Sequence, residues 1–248
     1  MKNVLLLTAT ITPPEGVPLL TRTDPAQRLQ DYAEALRFYV SLVGTTFDAI
    51  VFAENSGSDI SALRSIAAAS GQSERVEFLS FNGLDHPPSR GRGYGEFKLV
   101  DHVMQHARSV ADDCCVWKCT GRYTLTNIAT LVRRRPAVDL YCHCRDYPQR
   151  LCELSVMAFT RQGYEAAIAG VYEKLRNDVI PGVHSNEEIA FRAVVDRLPA
   201  AVKVRRRFNT TPLIQGVRGW NNADYSGEWT PKIMLRRLAA SLTPWIWI

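Results

Sequence analysis

Apolar positions along the chain follow two rhythms. Short, largely apolar runs occur at residues 4–7, 47–53, 76–80, 114–117, 137–143 and 154–160. Runs without a regular polar face predict strands covered on both sides of a sheet. Between them apolar residues recur at helical spacing. The clearest case is 26–43, with Leu29, Tyr32, Ala33, Leu36, Val40 and Val43 on one stripe. Further helices are predicted at 60–69, 96–110, 126–132, 161–178 and 186–198, the last presenting Ile189, Ala190, Ala193, Val194 and Leu198 on its apolar face. Strands that alternate with helices predict an α/β domain, a mostly parallel sheet with helices on both faces.

Polar residues punctuate these elements. Thr23-Asp24-Pro25 is a helix start, with a capping carboxylate and proline in the first turn. The turn Glu54-Asn55-Ser56-Gly57-Ser58-Asp59 closes the second strand and caps the next helix. Residues 85–95, with Pro87, Pro88, Gly91, Gly93 and Gly95, predict a mobile loop carrying Arg92 and Tyr94. Its glycines do not have the G-x-G-x-x-G spacing of a dinucleotide site. Lys98 then falls in the first turn of a helix, where the macrodipole disfavours a cation, and this hints at a compensating anion. Residues 202–231 are loop-rich. Residues 232–248 form a basic amphipathic segment with Lys232, Arg236 and Arg237 against Leu235, Leu238 and two tryptophans. That segment suits an anionic membrane surface and suits docking on the protein's own core equally. The expected organisation is one catalytic domain over 1–231 followed by the segment 232–248.

Composition narrows the partners only slightly. The 248 residues are 46% hydrophobic and 22% charged, which is enough to bury one sizeable core. The net charge of +5, with Arg runs at 133–135 and 205–207, admits a phosphate-bearing ligand, a nucleic acid or an anionic membrane. Met1-Lys2-Asn3-Val4 begins no signal peptide, no run reaches the length of a spanning helix, and six cysteines crowd into 114–152. The expected setting is reduced and cytoplasmic, with any membrane association peripheral, on the cytoplasmic face. Cys142-x-Cys144 lacks the paired C-x-x-C spacing of zinc sites, so the cysteines read as small buried hydrophobes. His102 and His106 share a helix face without the Glu of H-E-x-x-H, which argues against a metal there.

The central stretch, Trp117-Lys118-Cys119-Thr120-Gly121-Arg122-Tyr123, ends a strand with two cations and an aromatic. Its Gly would let the backbone approach a ligand closely, an arrangement for holding phosphate. A solvated strand end is the plainer alternative.

In the order of its features the chain resembles GT-A-fold glycosyltransferases, in particular bacterial family-2-like transferases of surface polysaccharides. Residues 53–59 are similar to the second-strand turn that such enzymes place near the nucleotide. Residues 95–107 resemble the helix before their metal-binding strand. Asn186-Glu187-Glu188 with Arg192 resembles their acidic pair at a helix start, which includes the catalytic base. Gln215-Gly216-Val217-Arg218-Gly219-Trp220 resembles a loosened Gln-x-x-Arg-Trp segment. Where the family has Asp-x-Asp for a divalent metal, this chain has Lys118-Cys119-Thr120-Gly121-Arg122. Two cations can neutralise a diphosphate without ligating a metal, so Mn or Mg is not expected to be essential.

What the resemblance implies is a hexosyltransferase-like enzyme of polysaccharide biosynthesis (O-antigen, lipopolysaccharide or capsule). It would move a sugar from a nucleotide-sugar donor to a glycan or lipid-linked acceptor, with inversion. Glu187 or Glu188 would take the acceptor proton. Lys118 and Arg122 would clamp the leaving phosphate. Arg92, Tyr94 and Lys98 would close over the donor, and Tyr123 would sit beside it. Thr8, Ala9, Thr10, Glu54 and Asn55 would meet the nucleotide, while Arg28 and Asp31 either face it or pair with each other. Arg218 and Trp220 would serve the acceptor or its phosphate, and His184 is a candidate ligand or proton carrier. The rival readings are a sugar nucleotidyltransferase and a non-catalytic nucleic-acid-binding protein. The first lacks a Gly-rich cationic loop after the first strand. The second lacks an aromatic-interleaved basic platform, and no nucleic acid is expected.

Overall fold

The computed structural model describes residues 1–147, 149–176 and 186–225. The elements in order are β1 (Lys2–Ala9), α1 (Pro25–Val40), β2 (Ala49–Glu54), α2 (Ser61–Ala69), β3 (Val76–Ser80), α3 (Gly91–His106) and β4 (Cys114–Thr120). They continue as β5 (Thr124–Leu125), α4 (Ile128–Arg133), β6 (Leu140–Arg145), β7 (Leu151–Phe159), α5 (Arg161–Ala167), α6 (Asn186–Asp196), β8 (Val204–Arg205) and β9 (Ile214–Gln215). Seven strands make one sheet in the order β3-β2-β1-β4-β7-β6-β8, and β5 pairs with β9 in a small ribbon. This is the expected α/β architecture. Among the described residues no helix is long and apolar enough to cross a membrane.

The β1–β4 half of the sheet is parallel, and β7 runs antiparallel to both β4 and β6. The reason is connection length. A parallel crossover takes a dozen or more residues, whereas only residues 146–150 join β6 to β7, so the chain can only turn back. Strand alternation sorts side chains into two cores. Leu5, Leu7, Trp117 and Cys119 pack with Leu36, Tyr39 and Leu63 of α1 and α2. Val4, Leu6, Val116 and Met157 pack with Phe97, Val100 and Phe191 of α3 and α6. Helices thus cover both faces. Asp24 caps α1 as its sequence position implies, accepting from the Ala26 and Gln27 amides at 2.8 and 3.1 Å.

Three expectations about helices are corrected. Residues 91–95 are the first turn of α3 rather than a loop. Each glycine there costs about 1 kcal/mol of helix propensity, but Gly91 adopts a positive φ of 87° and close approach requires Gly93. A Cβ on Gly93 would lie 2.7 Å from the Glu187 Cβ, whereas one on Gly95 would make only ordinary contact with the His86 ring at 3.4 Å. Lys98 consequently stands well beyond the first turn, and Asp85 neutralises it, so no bound anion is needed. The helix predicted over 161–178 stops at Ala167 because Gly170 adopts a left-handed conformation (φ 67°), with a short 3₁₀ turn at Val171–Lys174. Finally, α6 turns Phe191, Arg192 and Val195 fully inward; of the expected stripe, Ala190, Val194 and Leu198 pack against that core only partly buried, and Ala193 is exposed. Its first turn buries Glu187 as well.

Candidate active site

The carboxyl ends of β1 and β4 and the amino ends of α3 and α6 converge on a cavity of about 210 Å³. Outside the carboxyl ends of parallel strands is where open α/β sheets place their ligands. Thr8, Ala9 and Thr10 form its floor with Thr120, Arg122 and Tyr123. Arg92, Glu96, Glu187 and Glu188 form one wall, while Pro13, Leu20, Trp220 and Tyr225 belong to loops that frame it.

Lys118 does not reach this cavity. Cys114, Val116, Lys118 and Thr120 alternate toward α3, so Lys118 is fully buried under that helix. Its amine stands 2.7 Å from Glu96 Oε1, donates to the Leu154 carbonyl and lies 5.5 Å from the centre of the Phe97 ring. Glu96 also accepts from Thr8 Oγ1 at 2.6 Å and Thr120 Oγ1 at 3.1 Å. Burial alone would raise the Glu96 carboxyl, but Lys118 and the two hydroxyls hold it below its ordinary value. The expected Lys118 phosphate contact is therefore corrected. The lysine is the counter-ion of Glu96, a cavity residue that sequence reasoning placed only as the start of a helix.

Gly121 has a different role from the one expected. Its amide donates to the Thr8 carbonyl at 2.9 Å, and a Cβ would meet that oxygen at 2.8 Å. The glycine lets the exit of β4 lie against β1 rather than against a ligand. Gly121→Ala should lower the unfolding free energy by about 1–3 kcal/mol. An unchanged urea midpoint would show that the strand end gives way.

Arg122 does face the cavity, 7% exposed. Its guanidinium lies over the Tyr123 ring at 4.8 Å and donates to the Val217 carbonyl at 2.7 Å and to Tyr123 Oη at 3.1 Å. Among the described residues no carboxylate pairs with it. Gly216 and Gly219 allow the loop to wrap this side chain, a Cβ on Gly219 falling 2.5 Å from Arg122 Nη2. Gly219 in turn accepts from the Thr21 amide at 2.8 Å. Arg218, on the same loop, lies over Tyr225 at 4.5 Å and near Trp220 at 6.0 Å, and of these three only the aromatics line the cavity.

Several expected nucleotide contacts prove to be supports. Arg28 borders the cavity but ties down the β1 exit, donating to Thr10 O at 2.7 Å, Arg22 O at 2.9 Å and Tyr32 Oη at 3.1 Å. Asp31 neither faces the cavity nor pairs with Arg28, because Arg22 grips it at 2.6 and 2.7 Å. Glu54 is buried and accepts from the amides of Ile11, Ser56 and Ser58, which shapes its own loop. Asn55 accepts from Thr10 Oγ1 at 2.6 Å and donates to Gly95 O at 3.3 Å. Tyr94 accepts from Arg90 and donates to Glu173, away from the cavity. These corrections share one cause: a polar side chain beside a strand end serves the unpaired backbone of its own turn before it serves a ligand. His184 and residues 232–248 lie outside the described residues.

The acid pair is where the sequence places it. Glu187 Oε1 meets Arg92 Nη2 at 3.3 Å. Its Oε2, and that of Glu188, are buried and have no hydrogen-bond partner among the described residues. Burial, reinforced by the neighbouring Glu187 charge and only partly offset by Arg92, pushes the Glu188 carboxyl up to about 7. A carboxylate near neutrality, with a bare oxygen in a cavity, is equipped to take a proton from a bound hydroxyl. The donor set suits a divalent ion poorly. Among the described residues the one grouping of three Cys, His, Asp or Glu side chains near enough to share an ion is Cys142, Cys144 and Cys152, far in character from a diphosphate-bound Mn or Mg.

No protein-family model matches the chain, and no curated protein is similar to it in sequence. Solved structures resemble it in general layout. A protein of Desulfovibrio desulfuricans G20 assigned as a nucleotide-diphospho-sugar transferase is 12% identical, over 83% of this chain and 80% of that one, with a TM-score of 0.46. Galactosyltransferase LgtC, solved with donor and acceptor sugar analogues, is 10% identical over 77% and 70%, TM-score 0.45. A nucleoside-diphosphate-sugar pyrophosphorylase from Vibrio cholerae is 9% identical over 82% and 91%, TM-score 0.44. Both transferases and a pyrophosphorylase are among them, and at these scores the likeness assigns no residue a role.

Proposed function

We propose that this protein is a glycosyltransferase that moves a sugar from a nucleotide-sugar donor to a hydroxyl acceptor. The observation that carries this reading is the pairing, in one cavity at the strand ends, of an acid with near-neutral affinity for protons and a guanidinium, each without a partner for its free oxygen or its charge among the described residues. The acceptor hydroxyl gives its proton to Glu188 as its oxygen attacks the anomeric carbon. The bond from that carbon to the diphosphate oxygen breaks, and the electron pair leaves with the nucleotide, whose charge Arg122 meets. Arg92 holds Glu187 in place beside the base. Attack opposite the leaving group inverts the anomeric centre. The acceptor class, a surface glycan or its lipid-linked precursor, rests on the family resemblance described above, as does contact of residues 232–248 with an anionic membrane.

The test is a panel of UDP-, GDP-, dTDP- and CMP-sugars, each with and without manganese, with release of free nucleotide as the readout. One donor should be consumed slowly even without acceptor, and manganese should not be required. Consumption of a nucleoside triphosphate and a sugar phosphate with release of pyrophosphate would replace this reading with nucleotidyl transfer. No turnover and no thermal stabilisation by any nucleotide would overturn both.

A further inference from the structure

The β6–β7 hairpin carries three thiols on the face that α6 covers. Cys144 and Cys152 stand directly opposite each other across the two strands, and Cys142 is two residues earlier on the same face, at the bulge between Tyr141 and His143. All three are free and 0–1% exposed. Their sulfurs all lie within 4.8 Å of one another, Cys142 and Cys144 at 3.9 Å. In a thiolate site with metal–sulfur bonds of about 2.3 Å the sulfurs stand about 3.8–4.0 Å apart. Cross-strand pairing brings Cys144 and Cys152 together, and the bulge at Cys142 adds the third sulfur to them. The surroundings also suit charge. The guanidinium of Arg192 acts electrostatically on Cys144, and that of Arg206 on Cys142.

We propose that Cys142, Cys144 and Cys152 bind one thiophilic closed-shell ion, zinc or copper(I), as three thiolates. Such ligands select these ions over Mg, Ca and Mn. Each thiol loses its proton to water as its sulfur binds, and no oxidation state changes. Phe191 and Val195 of α6 belong to the same core as the three sulfurs. The ion would therefore fasten the hairpin behind the helix that presents Glu187 and Glu188. Its role is structural and is independent of the proposed transfer reaction.

The full chain, stripped of metal under reducing conditions, is given zinc or, anaerobically, copper(I), then desalted and analysed for metal. At least one of the two should remain at one ion per chain and raise Tm by about 5–10 °C. Cobalt(II) should give a thiolate charge-transfer band. Cys144→Ser and Cys152→Ser should lose the ion and the Tm gain, while Cys115→Ser, on the opposite face of the sheet, should keep both. Serine variants that fold and still retain the ion would overturn the proposal. Should those variants fail to fold, the wild-type chain decides: neither metal retained after desalting, or a Cys144–Cys152 disulfide in place of the ion, overturns it.

Discussion

Glu188→Gln should lower kcat by about 10²–10⁴-fold, the usual contribution of a positioned general base, with little change in the donor's KM. Glutamine keeps the volume of the side chain but cannot accept the proton. The pH profile sharpens the test. With the carboxyl pushed up to about 7, wild-type kcat/KM should rise with unit slope as pH approaches 7 and level off above it, as the base form fills. In Glu188→Gln that limb should vanish. Glu187→Gln acts differently: it removes the neighbour that helps raise Glu188 and so should shift the limb to lower pH. Full turnover in both variants would end the base assignment. The same shift affects stability with a definite sign. A group that binds its proton more tightly when folded stabilises the protein below its unfolded value near 4.5, and this contribution is lost as pH rises toward 7.

The second large effect concerns the buried ion pair. Glu96→Ala should cost about 3–5 kcal/mol of stability, because it leaves the fully buried Lys118 ammonium without a counter-charge. Lys118→Met should cost less, since Glu96 keeps two hydroxyl donors and reaches the cavity. The double variant Lys118→Met/Glu96→Leu should recover most of the loss, as apolar replacements of whole buried pairs do. Urea unfolding of the four proteins measures this directly. If Glu96→Ala unfolds at the wild-type midpoint, water or the Leu154 carbonyl satisfies the lysine and the pair is not structural. Acid works in the opposite sense to Glu188. The Glu96 carboxyl lies below its ordinary value, so its stabilisation is present above about 4.5 and lost as pH falls through the folded value.

The fate of Lys118 shows how far sequence reasoning reached. The β4 run identified the central strand, and a strict two-residue alternation from Cys114 already put Lys118 on a core face. Reading the cluster Lys-x-x-Gly-Arg as one exposed tip ignored that alternation. Glu96 was legible only in hindsight, because its partner lies 22 residues away and its turn was obscured by three glycines. Those glycines illustrate the general limit: their helix penalty is local and visible, whereas the contact that justifies Gly93 is with Glu187, far along the chain. The acid pair, by contrast, was readable because a helix start needs only neighbouring residues. Glu54, Asn55 and Asp31 were misread as ligands because a sequence does not show which backbone amides or arginines will already hold a carboxylate or amide side chain.

The bond from Thr21 Oγ1 to the Gly219 carbonyl joins positions 198 residues apart, and Arg122 closes on the same returning loop. The longest span that the sheet itself closes is the 112 residues from Lys2 to Cys114, but this rim must wait for nearly the whole described chain. Loop closure over that span makes it a late step in folding. The scaffold thus assembles before the rim of the cavity, and a nascent chain on the ribosome would carry a folded but unrimmed cavity until residues 217–219 emerged.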